Sequence, residues 1–160
     1  MQIEWLDSQE TDPPAGLDDL LKVGVTYRQL DLKNDFQGAL DALKASGGYI
    51  EQDIVELRPD SEGLESTLDA FAREHRHADD EVRLVLDGEG IFDLRSHDER
   101  WIRATLTSGD LLVVPKQLYH RFFLTKTRTI RCVRLFGDPA GWIADYRDGA
   151  SENTSADLAT

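Results

Sequence analysis

Apolar positions fall into two regimes along the chain. In the first half they recur at helical spacing. Leu17, Leu20 and Leu21 predict a short helix ended by Gly24. Phe36, Leu40 and Leu43 stand at i, i+4 and i+7, with Asp35 placed to cap that helix and Gly47-Gly48 to stop it. Leu64, Leu68 and Phe71 repeat the pattern. Residues 1–5 read as a short strand, residues 25–32 as strand or extended chain, and the acidic, proline-bearing residues 7–16 as a loop. Residues 49–57 are apolar at Ile50, Ile54, Val55 and Leu57, which fits a helix or a strand.

From His75 onward the period shortens. Apolar runs at 82–86, 90–94, 101–106, 110–114, 121–124 and 129–135 are separated by turn signals at Asp87-Gly88, Ser96-His97-Asp98-Glu99, Ser108-Gly109-Asp110 and Gly137-Asp138-Pro139. Short strands at this spacing predict an antiparallel barrel or sandwich. The expected fold is mainly β with a few N-terminal helices, in one domain over residues 1–147. Residues 148–160 (DGASENTSADLAT) are small and polar and read as a disordered tail. A length of 160 residues suits one domain with a full core.

Charge narrows the partners. There are 31 acidic and 18 basic residues, a net charge of −13. That argues against nucleic acid and against anionic membrane surfaces. An anionic substrate would need local attraction, from a metal or from placed arginines. The single cysteine, Cys132, excludes an intramolecular disulfide, and its place in the alternation Ile130-Arg131-Cys132-Val133 reads as a buried structural thiol. The start MQIEWLDSQE has neither a basic region nor an apolar run, and no stretch approaches the roughly 18 apolar residues of a membrane span. A soluble, cytoplasmic protein is expected, and, with no long apolar patch evident, a monomer.

The chemistry concentrates in EHRHADDEVRLVLDGEGIFDLR, Glu74 to Arg95. On a strand, His75 and His77 point to one face. Ala78-Asp79-Asp80 can turn the chain, and Glu81 opens the next strand, where it can face the same histidines. His120, in Val114-Pro115-Lys116-Gln117-Leu118-Tyr119-His120, is a fourth candidate. Imidazole plus carboxylate without thiolate suits Fe, Mn, Ni or Co better than structural zinc. Three neutral imidazoles and one carboxylate would leave a divalent ion about one net positive charge. In octahedral geometry two adjacent positions stay open. The plainer reading is a set of solvated polar residues around a turn. Two similar strand-and-turn units that each deliver ligands weigh against it. His97 lies in a charged turn and reads as a surface residue. Asp79 and Asp80, adjacent in a tight turn, read as solvated.

His75-x-His77-x3-Glu81-x6-Gly88 and Gly109-x5-Pro115-x4-His120 resemble the two cupin motifs. Asp69, Gln117 and Leu124 stand where those motifs carry glycine, glycine and asparagine. The segments 74–83, 86–93, 100–103, 119–122 and 134–136, with 16–27 near the start, resemble the acireductone dioxygenase family of methionine salvage. The resemblance covers residues 1–147. It implies a cupin fold, a double-stranded β-helix or jelly-roll-like barrel. It also implies one Fe(II) or Ni(II) per chain, held by His75, His77, Glu81 and His120. The substrates implied are 1,2-dihydroxy-3-keto-5-methylthiopentene and O2. The iron form is expected to give 4-methylthio-2-oxobutanoate and formate, and the nickel form 3-methylthiopropanoate, formate and carbon monoxide. Arg83 shares Glu81's strand face and is the first candidate to position the substrate anion, with Arg134 and Arg121 behind it. Phe71 and Phe122 are candidates for an apolar wall around the methylthio end. Another cupin metalloenzyme, or a non-catalytic metal-binding module, would share the four ligands but not the extended segments.

Overall fold

The computed structural model describes residues 1–149. Its eleven strands form two antiparallel sheets. One sheet holds β1 (Gln2–Trp5), β4 (His75–Arg76), β6 (Gly90–Arg95), β7 (Trp101–Leu106), β9 (His120–Leu124) and β11 (Asp145–Tyr146), in the order β1-β7-β6-β9-β4-β11. The other holds β2 (Thr26–Gln29), β3 (Glu51–Leu57), β5 (Glu81–Gly88), β8 (Asp110–Val114) and β10 (Ile130–Phe136), in the order β2-β8-β5-β10-β3. The main core lies between the sheets, where Val85, Leu112, Val114 and Cys132 of one meet Phe92, Leu94, Ile102 and Phe122 of the other.

Three helices precede the main run of strands: α1 (Leu17–Lys22), α2 (Phe36–Gly47) and α3 (Leu64–Ala72). Asp35 accepts a hydrogen bond from the Gly38 amide at 3.0 Å and caps α2, and Gly48 closes it at φ 74°. Leu40 of α2 packs with Val82, Leu84, Val133 and Leu135 on the outer face of the five-stranded sheet. β5 is therefore covered on both faces, which is why its sequence reads VRLVL rather than as a clean alternation. The 49–57 stretch resolves as strand: β3 pairs with β10 from Ile130↔Leu57 to Phe136↔Glu51. Ile54, which also fits a helical spacing, is half exposed. Of residues 25–32, only Thr26–Gln29 form a strand.

The departures from the cupin motifs have local consequences. Asp69 lies inside α3, where glycine would weaken the helix. Gln117 occupies a left-handed backbone position, φ 67°, and donates its amide to the His77 carbonyl at 2.9 Å. Gly88 keeps the motif's glycine for a steric reason: at φ 78°, an added Cβ would lie 2.1 Å from the Thr129 carbonyl oxygen. Residues 150–160 of the expected tail lie outside the described residues.

Candidate metal centre and substrate cavity

β4, β5 and β9 bring the four predicted ligands to one point. His75 on β4 pairs directly with His120 on β9. Glu81 is the first residue of β5. His77 sits in the short connection between β4 and β5. All four side chains are about 2% exposed. Each imidazole offers a nitrogen within 4.8 Å of the other two. Glu81 Oε2 lies 2.7 Å from His120 Nε2 and 3.5 Å from His77 Nε2.

The other ring nitrogens explain the orientation. His75 Nδ1 lies 2.7 Å from the Arg73 carbonyl, His120 Nδ1 2.9 Å from that of Leu118, and His77 Nδ1 3.4 Å from that of Ile143. A carbonyl can only accept, so each Nδ1 carries the proton and each Nε2 is left to bind a cation. His120 then has an acceptor at both nitrogens, and needs at Nε2 either a second proton or a cation shared with Glu81. His77 Nε2 is buried without a hydrogen-bond partner. A divalent cation answers both conditions, so this donor set fits a metal.

Electrostatics keep the donors in their binding forms. Burial opposes ionisation of Glu81, but the Arg83 guanidinium and the His120 imidazole outweigh it and hold the carboxyl well below the usual range. Burial first, then His120 and His77, push His75 down to about 3, so it stays neutral.

A buried cavity leads away from this point. Glu81 and Arg83 stand at one end, with Val55, Leu57, Val85, Ile130 and Cys132 along one wall. Phe71, Phe92 and Phe122 form the opposite wall. Phe122 packs edge-on against both other rings, at centroid distances of 5.9 and 5.1 Å. Phe71 reaches the cavity from α3 and Phe122 from β9. Arg83 Nη2 lies 3.1 Å from Glu81 Oε1 without an aligned hydrogen bond.

Two arginines stand elsewhere than expected. Arg121 alternates away from His120 on β9 and lies on the outer face, where Nε donates to Asp93 Oδ2 at 2.8 Å and the guanidinium covers Trp101. Strand parity rules it out as a cavity residue. Arg134 donates to both Asp53 oxygens, at 2.7 and 2.6 Å, and lies 4.4 Å over Trp142, so it borders the site without lining the cavity. His97 is exposed, with Nε2 at 2.8 Å from the Lys22 carbonyl. Asp80 is not merely solvated: it accepts from Tyr49 Oη at 2.6 Å and from the Lys116 amide at 2.8 Å, tying the ligand loop to two neighbouring segments.

Sequence reading missed Trp142, in the 3-10 turn Pro139–Trp142. Its indole is 2% exposed, faces both Arg83 and Arg134, and keeps a buried N–H without a partner. The same segment straps the ligand loop, since the Gly141 carbonyl accepts from the Ala78 and Asp79 amides at 3.1 and 3.3 Å. The only local signal was an aromatic inside a Pro-Ala-Gly-Trp turn.

The family model for the ARD/ARD' family matches residues 6–144. The chain belongs to that family. An acireductone dioxygenase of Heterostelium pallidum is 38% identical over 134 residues, 84% of this chain and 91% of that protein. One from Gallus gallus is 38% identical over 136 residues, 83% of this chain and 75% of that protein. The solved structure of an acireductone dioxygenase from Bacillus anthracis, with a cadmium ion in its active centre, superposes with a TM-score of 0.81 at 26% identity, covering 90% of this chain and 96% of the other. The fold is thus a member of the cupin barrels, as the motifs implied.

Proposed function

We propose that the protein is an acireductone dioxygenase that cleaves 1,2-dihydroxy-3-keto-5-methylthiopentene with O2, using one Fe(II) or Ni(II) per chain held by His75, His77, Glu81 and His120. The observation that carries the reading is the junction of two environments in one buried site: three imidazoles and the Glu81 carboxylate converging on one point, and an apolar cavity that begins beside them. Family membership supports the same reaction. The iron form yields 4-methylthio-2-oxobutanoate and formate, and the nickel form 3-methylthiopropanoate, formate and carbon monoxide. The reaction belongs to methionine salvage, in the cytoplasm, and the protein acts as a monomer. No helix of the described residues is long and apolar enough to cross a membrane.

An ion held by His75, His77, Glu81 and His120 would supply Lewis-acid polarisation and a template for the substrate. The chain's residues do the rest. His75 and His120 are held by backbone carbonyls, so the site is ordered before substrate arrives. Glu81 stays ionised and offsets one of the ion's two charges. Arg83 presents a buried guanidinium beside Glu81, positioned to hold the enediolate anion against the protein's overall negative charge. Phe71 and Phe122 take the methylthio end and exclude water from the reacting carbons.

The test is anaerobic generation of the acireductone, then oxygen addition to iron-loaded and nickel-loaded protein, with substrate loss followed optically and products identified. Turnover by both, with carbon monoxide only from nickel, is expected. Metal-loaded protein that leaves the acireductone untouched would overturn the substrate assignment and point to another cupin chemistry.

A further inference from the structure

Two like charges meet on one rung of the five-stranded sheet. Arg83 of β5 has Leu112 of β8 on one side and Arg134 of β10 on the other, and Arg134 has Asp53 of β3 beyond it. Directly opposed side chains share a face, with Cβ atoms about 5 Å apart, and like charges so placed repel. Both guanidiniums are buried, with Arg83 5% and Arg134 8% exposed. Both face the Trp142 indole, at 5.5 and 4.4 Å from its centroid. Glu81 stands two residues before Arg83 on the same face of β5, and so diagonal to Arg134. Diagonal neighbours lie about 7–8 Å apart, within reach of a long side chain. Either arginine could therefore serve this carboxylate.

The two are deployed differently. Arg83 Nη2 lies 3.1 Å from Glu81 Oε1 and keeps no aligned hydrogen bond. Arg134 gives Nε and Nη2 to the two oxygens of Asp53, at 2.7 and 2.6 Å, in a bidentate pair. β3 is an edge strand of its sheet, and the Asp53 side chain is 40% exposed. Asp53 belongs neither to the cavity lining nor to the imidazole cluster. We propose that Asp53 is a positioning residue for the reaction: by committing Arg134 to the sheet edge, it leaves Arg83 alone beside Glu81 with Nη2 available to the substrate's enediolate. The inference rests on the acireductone reading above, which gives the substrate anion to Arg83. Released from Asp53, Arg134 competes with Arg83 for Glu81 and displaces the guanidinium that the substrate meets. Removing the competitor then repairs the loss, which a purely structural role of the pair would not allow.

The experiment measures kcat and KM for the acireductone on iron-loaded wild type, Asp53→Asn, Arg134→Met and the double variant, with metal content and unfolding midpoint determined for each. Asp53→Asn keeps the side chain's shape at a part-exposed position, so it is expected to fold and to hold metal as wild type does. Its KM should rise by about tenfold or more, the scale of a hydrogen bond to a charged group, while kcat stays within about twofold, because an anchor made before the reaction is weakened. Arg134→Met and the double variant should both return KM to within about threefold of wild type, the non-additivity expected of coupled residues. Arg134→Gln takes the place of Arg134→Met should that variant fail to fold. An unchanged KM in folded, metal-loaded Asp53→Asn, or a raised KM that persists in the double variant, would overturn the positioning role while leaving the proposed activity standing. Absence of turnover by metal-loaded wild type would overturn the activity, and the positioning role with it.

Discussion

Three carboxylates are almost fully buried among the described residues, Glu81, Asp93 and Asp110, and the first two meet opposite fates. Asp93 on β6 points outward, is 0% exposed, and is saturated: Arg103 donates to both its oxygens at 2.7 and 2.9 Å, and Arg121 adds a bond at 2.8 Å. Glu81 on β5 points inward, among three imidazoles and Arg83. Around it His77 Nε2 and Arg83 Nη2 remain without hydrogen-bond partners. A closed network of this kind holds strands together, whereas a network with buried, unmatched polar atoms is arranged for something yet to bind. Burial alone does not separate the two. The accounting of partners does.

The comparison can be broken by substitution. The largest effect is expected from Glu81→Gln, which keeps shape and removes charge. Turnover should fall by more than about 100-fold, beyond the loss typical of residues that only support a ligand. Steady-state oxygen consumption on metal-loaded protein checks this. Asp93→Asn should do the reverse, leaving activity per folded molecule intact. It leaves two arginines uncompensated, each about a quarter exposed (27% and 26%), so the cost of breaking a buried pair is discounted to about 2–4 kcal/mol. At about 2–4 °C per kcal/mol for a domain of this size, calorimetry should show the midpoint falling by several degrees or more. Gln117→Gly relieves a left-handed backbone strained by about 1 kcal/mol or more, offset in part by the greater freedom of an unfolded glycine. A net gain of a few tenths of a kcal/mol in urea unfolding is expected. The smallest effect is His97→Ala. Its ring is exposed and its one contact is the Lys22 carbonyl, so metal content should not move and stability should change by less than about 0.5 kcal/mol.

What could be read from the sequence follows the same division. From β5 to β10 the alternation and turn residues placed each strand to within a residue or two, because one face of nearly every strand meets the core. His75, His77, Glu81 and His120 were legible because strand parity and a short turn suffice to converge them. Parity also separates Phe122, which faces in, from Arg121, which faces Asp93. Considering Arg121 for its charge overlooked that rule. β3 was ambiguous because Ile50, Ile54 and Leu57 fit the helical period while Val55 and Leu57 fit the strand period, and only pairing with β10 selects the strand. Arg134 lies on a correctly predicted strand with the correct parity, yet Asp53, distant in sequence, takes its guanidinium. Trp142 and the carbonyls that orient the imidazoles were invisible, since backbone acceptors leave no residue signature and a 3-10 turn has no periodicity.

The most direct test of this division is the metal-to-protein ratio of folded wild type, Glu81→Gln, His75→Ala and Asp93→Asn after equal exposure to Fe(II) or Ni(II) and removal of excess ion. Wild type and Asp93→Asn are predicted to hold about one ion per chain, and Glu81→Gln and His75→Ala far less at unchanged circular dichroism. Retention of the ion by both Glu81→Gln and His75→Ala, or its loss from well-folded Asp93→Asn, would contradict the assignment of the inward carboxylate to the metal and the outward one to the fold.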